Sequence, residues 1–293
     1  MSDLEKDLAE LTRLVCSDDP VAVGRAQDRA LQRMGQLTAA RMLAAMAYDR
    51  MRAFAGRAQK FGTQAVLVAG ERVLWPVDSG ATDSERAKWG LEALADLHQA
   101  AIRAPLVSKV PLRRMLRDRR EKLTEDALLS CAGRIVEYGR AALSSTSSDV
   151  VAAYWPLAGE VDPRPLAKLL CERDGARLAL PVVVGKDMQF REWHPGEKLQ
   201  PAGFGSFGPS SSAPEVMPSI VLTPLLGFDR QGARLGQGKG FYDRKLAALP
   251  GTSAPLVVGI ASSCQQIPVV PTECHDRGLD LLISEVEVID FRG

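Results

Sequence analysis

Apolar residues recur at spacings of three and four from Asp3 to Lys60, as in Leu4, Leu8, Leu11 and Val15, which predicts two or more amphipathic helices. Pro20 is placed to open the second, because the first helical position has no use for the N–H that proline lacks. Gln64 to Val77, QAVLVAGERVLWPV, reads as two short strands around Ala69-Gly70. A Thr82/Glu85 capping-box pattern then opens a helix running to Ala104, with Pro105 as a boundary. Lys109 to Lys122 reads as a further helix. Beyond the Ser-rich linker Ser144 to Ser148 the texture changes to continuous apolar runs. Strands are predicted from Val150, Ala176, Met188, Ser219, Leu256 and Leu279, with helical patterns at Arg164 to Arg173 and Phe241 to Leu249. Such alternation implies a buried, largely parallel sheet with helices on its faces. Gly196 to Pro218, rich in Gly, Pro and Ser, is too long for a simple connection and reads as a functional or mobile loop.

Composition bears on function mainly by exclusion. The 293 residues are 46% hydrophobic and 25% charged, the balance of a globular chain long enough for two domains. Lys plus Arg total 37 and Asp plus Glu 36, and 14 of each sign precede Lys109, so neither half has the charge of a nucleic-acid or polyanion binder. The N-terminal stretch carries acids from its third residue and has neither an apolar signal core nor an Arg-rich transit pattern, so a cytoplasmic location is expected. The longest uncharged stretch, Leu249 to Thr272, is broken by Pro250, Pro255, Pro268 and Pro271 and is not read as a membrane span. Cys16, Cys131, Cys171, Cys264 and Cys274 form no CxxC pair, and His98, His194 and His275 have no HxxxH spacing. Neither a zinc site nor a disulfide framework is expected.

Two segments carry candidate chemistry. KVPLRRMLRDRREK, from Lys109, has seven basic residues against two acidic ones, and is either a solvated cationic face or a ligand-facing one. From Ser219 to Leu249 an apolar strand runs into a glycine-studded loop and out into a helix. Gly236, Gly238 and Gly240 alternate with Gln237 and Lys239, so the backbone can approach a ligand closely and its amides can cradle an anion. Arg234 and Lys239 add positive charge, and Asp243 is placed to hold a magnesium ion bridging phosphate oxygens, which together make a nucleotide phosphate site. The loop is not a Walker A sequence, since Phe241 follows Lys239-Gly240, and it is not a GxGxxG fingerprint.

Lys109-x-x-Leu-Arg113, YWPLAGEVDPRPL from Tyr154, RLGQGKGFYDR from Arg234 and PTECHD from Pro271, taken in this order, resemble the 5-formyltetrahydrofolate cyclo-ligase (methenyltetrahydrofolate synthetase) family over about residues 109 to 291. The resemblance implies a three-layer, Rossmann-like α/β domain with a mainly parallel sheet over 105–293, preceded by a mostly helical extension over 1–104. It implies ATP-dependent conversion of 5-formyltetrahydrofolate to 5,10-methenyltetrahydrofolate, with Mg2+, through a phosphorylated formyl oxygen, releasing ADP and phosphate. Lys109, Arg113 and the loop Arg234, Leu235, Gly236, Gln237, Gly238, Lys239, Gly240, Phe241 and Tyr242 would then bind ATP. Lys239 and Arg234 would serve the transferred phosphoryl group, and Asp243 with Asp276 would hold the metal. Glu160 and Trp155 would bind the folate. Tyr154 is either a second aromatic wall or a core residue, and Phe190, Trp193 and His194 are weaker pocket candidates. Small-molecule substrates are the implied partners, with no nucleic acid and no membrane.

Departures from the family pattern are the Phe241-Tyr242 pair, GSFGPSSSAPE from Gly205 where a short turn is usual, and the first 108 residues, which are expected to be dispensable for chemistry. The apolar faces of those N-terminal helices also suit self-association, leaving the oligomeric state open. Two other readings stand beside the cyclo-ligase. One makes Cys264 or Cys274-His275 a thiol nucleophile, although adjacent residues on an extended segment point apart. The other makes the chain an assembly protein with a folate- or nucleotide-sensing domain, against which the full set Lys109, Arg113, Glu160, Lys239, Asp243 and Asp276 argues.

Overall fold

The computed structural model describes residues 3–35, 38–94, 97–203, 205–248 and 254–292. The chain divides into two compact units, one of Met1–Met115 with Ile267–Cys274 and the other of Leu116–Gln266 with His275–Gly293.

The first unit contains α1 (Asp3–Val15), α2 (Pro20–Arg33), α3 (Thr38–Phe54), β1 (Ala65–Val68), β2 (Glu71–Leu74), α4 (Asp83–Lys88), α5 (Leu97–Arg103) and the beginning of α6 (Lys109–Glu121). Pro20 does open α2, and the Asp19 carboxylate caps it by accepting from the Val21 amide at 3.1 Å. Leu11, Val15, Val23, Ala26, Ala30, Ala40, Leu43 and Ala47 are buried on the facing stripes that the periodicity predicts. β1 and β2 pair antiparallel through a two-residue turn in which Ala69 and Gly70 both have positive φ, 51° and 88°. Ala65 and Leu67 use their other backbone groups elsewhere. The Ala65 amide donates to the Pro105 carbonyl and the Val107 amide to the Ala65 carbonyl, while the Thr272 amide donates to Leu67 at 2.9 Å. The single helix expected from Thr82 to Ala104 is two helices instead. Gly90 takes φ 72° and ends α4, and the loop is then held by α4 itself, with Asp83 accepting from the Leu94 amide and Arg86 donating to the Glu92 carbonyl.

The second unit continues α6 and adds α7 (Glu125–Ala142), β3 (Val150–Ala152), α8 (Arg164–Asp174), β4 (Arg177–Val184), β5 (Asp187–Glu192), β6 (Gln200–Gly203), β7 (Ser206–Gly208), β8 (Ile220–Pro224), β9 (Gly227–Phe228), β10 (Arg234–Leu235), α9 (Phe241–Ala247), β11 (Leu256–Ile260), β12 (Leu281–Ile283) and β13 (Val288–Asp290). All six expected strands are present, and Leu249, the expected end of the last helix, lies outside the described residues. No element is read above from the stretch that forms α7, whose Thr124 hydroxyl caps it by accepting from the Ala127 amide. The supposed long loop contains the β6–β7 hairpin.

Seven strands form one sheet in the order β13-β12-β11-β8-β3-β4-β5, parallel except for the antiparallel edges β13 and β5. Alternation along each strand sends side chains to opposite faces. Val151, Leu178, Leu180, Leu222, Val258, Ile260, Leu281 and Ile283 pack with Ile135 of α7 and with Leu166 and Leu170 of α8. Val150, Ala152, Ala179, Val221, Val257 and Leu282 pack on the other side with Phe190, Phe228 and Leu246 of α9. The result is the expected three-layer α/β arrangement. After β3 the chain goes to β4 on one side and later to β8 on the other, so the direction of winding reverses between β3 and β8. In such sheets the ligand crevice opens at the carboxyl ends of the strands at that reversal. The segments that leave there are 153–160 and 225–240. Among the described residues no helix is long and apolar enough to cross a membrane.

Gly259 on β11 leaves no room for a larger residue, since an added Cβ would lie 2.7 Å from Leu279, 3.0 Å from Leu225 and 3.1 Å from Leu282. Gly259→Ala is expected to destabilise the protein by about 1–3 kcal/mol through overpacking, read as a lower urea midpoint with an unchanged slope.

Candidate active site

The glycine loop is built on the short β9–β10 ribbon, in which Arg234 faces Phe228. Gly238 and Gly240 take φ 95° and 65°, conformations that glycine adopts without cost, and Gly240 leads directly into α9. From α9, Arg244 reaches back to donate to the Lys239 carbonyl at 3.0 Å, which ties the loop to its own helix. Leu235 is buried beneath the loop, and an added Cβ on Gly236 would meet nothing within 4 Å.

Arg234 is the surprise of this segment. Its side chain is only 4% exposed; Nη2 pairs with the Asp243 carboxylate and Nη1 donates to the Arg277 carbonyl. Burial pulls its pKa below the usual arginine value, and the charges of Asp243 and Asp276 oppose that shift. One guanidinium therefore connects the ribbon, the first turn of α9 and the residue after Asp276. Among the described residues no three His, Cys, Asp or Glu side chains cluster as a metal site. Two carboxylates do fit magnesium, which takes one or two from a protein and fills its shell with phosphate oxygens and water.

On the other bank, β3 runs into the segment that carries Tyr154, Trp155 and Glu160. Tyr154 is 3% exposed and packs in the core, with its hydroxyl donating to the Val161 carbonyl at 2.8 Å. Trp155 is half-buried, edge-on to Trp193 at 6.0 Å, with the Arg164 guanidinium 3.9 Å from its ring centroid. Asp162 in turn holds Arg164 through both carboxylate oxygens. Glu160 is nearly enclosed. Oε1 pairs with Arg120 Nη1 at 2.8 Å and Oε2 accepts from the Leu157 amide at 3.0 Å, with the two side chains 8% and 7% exposed. Gly159 makes this approach possible, since it has φ 75° and an added Cβ would sit 3.3 Å from the Arg120 carbonyl oxygen. Two buried polar atoms here have no partner, Arg120 Nε and the Tyr242 hydroxyl. Burial, and after it the charge of Glu160, push the Tyr242 hydroxyl above the usual tyrosine value, so it stays protonated as a donor.

Helix α6 shows what its basic run does. The division between the units falls inside it, after Met115, so Lys109 and Arg113 belong to the first unit and the rest to the second. Lys109 Nζ lies 3.2 Å from Glu273 Oε1. Arg117 donates through Nε and Nη2 to Gln237 Oε1, both at 3.3 Å, and Arg119 donates to the carbonyls of Cys264 and Gln266. These arginines are engaged with the protein, which removes the purely solvated face as an account of the run. Arg117 meets the glycine loop at Gln237 and Arg120 meets Glu160, and neither is among the candidates drawn from the sequence. Their only signal in the sequence is the basic run itself. Phe190 is fully buried and meets Tyr242 edge-on at 6.4 Å, whereas His194 is exposed. His194, with Glu192, Glu197, Lys198, Ser210 and Pro214, lines an open cleft of about 390 Å³.

A family model described as the 5-formyltetrahydrofolate cyclo-ligase family matches residues 105–285. The chain belongs to that family. The cyclo-ligase of Escherichia coli K12 is 31% identical over 188 residues, covering 60% of this chain and 100% of the relative. That of Mycolicibacterium smegmatis is 32% identical over 151 residues, covering 47% and 74%. The NMR structure of Aquifex aeolicus 5,10-methenyltetrahydrofolate synthetase superposes with a TM-score of 0.52 at 31% identity, covering 63% of this chain and 93% of that one. A Mycoplasma pneumoniae 5,10-methenyltetrahydrofolate synthetase, at TM-score 0.50 and 23% identity, shares the fold. Part of the cyclo-ligase match, 105–115 and 267–274, belongs to the same compact unit as the first hundred residues.

Breaking the enclosed Arg120–Glu160 pair from one side leaves a buried charge alone. Arg120→Ala is expected to cost about 3–5 kcal/mol in urea unfolding, and the double change Arg120→Met with Glu160→Gln to cost less than that single change. A loss under about 1 kcal/mol, the size typical of exposed pairs, would show the pair to be open to water.

Proposed function

We propose that this protein converts 5-formyltetrahydrofolate to 5,10-methenyltetrahydrofolate with consumption of ATP, and that it uses magnesium. The observation that carries the reading is the cyclo-ligase match over residues 105–285, which includes the glycine loop and Asp243 that Arg234 binds together, and Glu160 opposite them across the strand reversal. A cytoplasmic location, with small molecules as the only ligands, belongs to the same proposal and agrees with the balanced charge.

The chemistry explains why these groups are needed. A formamide oxygen is a poor leaving group, so the formyl oxygen first attacks the γ-phosphorus of ATP. An O–P bond forms, and the bond to the β-phosphate oxygen breaks to release ADP. The neighbouring amine nitrogen then attacks the formyl carbon, the C–O bond breaks, phosphate departs with its electron pair, and the amine proton passes to solvent. In this scheme Lys109 and Arg113 hold ATP phosphates, and the backbone from Arg234 to Tyr242 wraps the triphosphate. Lys239 offsets charge on the transferred phosphoryl group. Asp243 and Asp276 would hold magnesium, which supplies positive charge to the phosphate oxygens. Buried as it is, Arg234 acts by holding the Asp243 carboxylate in place. Glu160, aimed by Arg120, accepts hydrogen bonds from the pterin, and Trp155 with its flanking Trp193 provides the apolar surface. Tyr154 supports that segment from the core side.

Mixed with 5-formyltetrahydrofolate, ATP and magnesium, the purified protein is expected to produce the near-ultraviolet band of the methenyl product, and only when ATP is present. Absence of the band, with both ligands still binding, would leave a folate or nucleotide sensor instead. Lys239→Ala is expected to lower kcat by about a hundredfold, close to 3 kcal/mol of transition-state stabilisation. Turnover within about threefold of wild type would remove Lys239 from the phosphoryl-transfer step.

A further inference from the structure

The first unit holds an arginine whose five donors are all committed. Arg50, on α3, is 2% exposed. Its Nε donates to the Ser17 carbonyl at 2.8 Å. Nη1 donates to Gln64 Oε1 at 2.8 Å and to the Leu106 carbonyl at 3.0 Å, and Nη2 donates to the Cys16 carbonyl and to Asp18 Oδ1, both at 3.0 Å. A guanidinium has five N–H groups, so none is left over. The other oxygen of Asp18 accepts from the Ser108 hydroxyl at 2.6 Å, and Ser108 Oγ accepts from the Val110 amide at 3.3 Å. Ser108 is the residue before α6, so this last bond caps a first-turn amide of the helix that begins at Lys109. Thus a relay of charged and polar groups runs from the C-terminal part of α3, through the α1–α2 turn, to the start of α6. The backbone adds to it, since Pro105 and Val107 pair with Ala65 on β1.

The same strand secures a second site segment. The Thr272 amide donates to the Leu67 carbonyl and its hydroxyl accepts from the Ala69 amide at 2.9 Å, and next to it Glu273 pairs with Lys109. The residues that hold Ser108 and Thr272 all precede residue 105, where the family match begins.

We infer that the N-terminal 104 residues are a positioning scaffold for the ATP-binding end of α6, acting on Lys109 and Arg113 through Arg50, Asp18 and the Ser108 cap. The inference rests on the reading of Lys109 and Arg113 as phosphate-binding groups. It also puts to the test the expectation that this region is dispensable for chemistry. Arg50, Asp18 and Ser108 touch no substrate in this account; they set where the helix begins and how its first turn is held.

The test uses the full chain. Ser108→Ala and Asp18→Asn are each expected to raise KM for ATP by about fivefold, the effect of losing a helix cap, while KM for 5-formyltetrahydrofolate stays unchanged. Ser108→Thr keeps the hydroxyl and is expected to stay within about twofold of wild type. Thr82→Ala is the control, because Thr82 caps α4 in the same unit by accepting from the Glu85 amide at 3.2 Å, a bond that is local to α4. It is expected to lower Tm without changing KM for ATP. The inference is overturned if Ser108→Ala behaves like Thr82→Ala, with a lower Tm and an unchanged KM. A parallel titration measures Kd for a non-hydrolysable ATP analogue. It decides the inference even if wild-type protein forms no methenyl product, an outcome that removes the cyclo-ligase reading alone.

Discussion

A guanidinium taken out of water must find acceptors, and Arg234 finds them at the carboxylate of Asp243 and the carbonyl of Arg277. The candidate site depends on this requirement. Arg234 comes from the β9–β10 ribbon, Asp243 from α9 and Arg277 from the segment that follows β11, so the three come together only when each element has docked on the sheet. The glycine loop lies between the first two, and its span from Leu235 to Tyr242 is closed at both ends by one ion pair. Asp276 is the neighbour of the residue that supplies the carbonyl. The constraint therefore fixes loop and carboxylates together, and it does so without any group of the ligand.

Arg120 and Arg50 serve in the same way. Arg120 uses Glu160 to join α6 to the turn after β3, and Arg50 joins α3 to the α1–α2 turn and to the start of α6. Arginine suits this use, because its planar fork serves several acceptors at once and keeps its charge on burial. Each of the three lies behind a group that the proposed reaction needs, respectively Asp243, Glu160 and the first turn carrying Lys109. Catalytic groups of this kind must be held closely in place before substrate arrives, and a buried charge-assisted bond holds a carboxylate better than a solvated one.

Much of the fold is legible in the sequence. The six apolar runs became strands and the parallel sheet followed, because fully buried strands need continuous apolar sequence. The misreadings have local causes. The helix expected from Thr82 to Ala104 breaks at Gly90, where a positive φ and the side chains of Asp83 and Arg86 outweigh the helical periodicity. The stretch forming α7 lies between a basic run and a serine linker, and Thr124 caps it. In the candidate site, the loop and Asp243 stand out by the glycine alternation and the charges around it, and Glu160 and Asp276 by motif resemblance, whereas Arg117 and Arg120 are indistinguishable from the other basic residues around them.

The alternation of strand and helix, the glycine loop, and the residues that tie 105–285 to the cyclo-ligases can all be read along the chain. These are local or periodic properties, set by backbone preference and by which side chains avoid water. Which arginines are buried, where the sheet reverses its winding, and the holding of Ser108 and Thr272 by residues preceding the family segment follow from packing. Arg50 and Leu106 are 56 positions apart and Arg120 and Glu160 are 40. Contacts at such separations depend on how the elements pack, and a charged residue in a sequence looks the same whether it meets water or a partner.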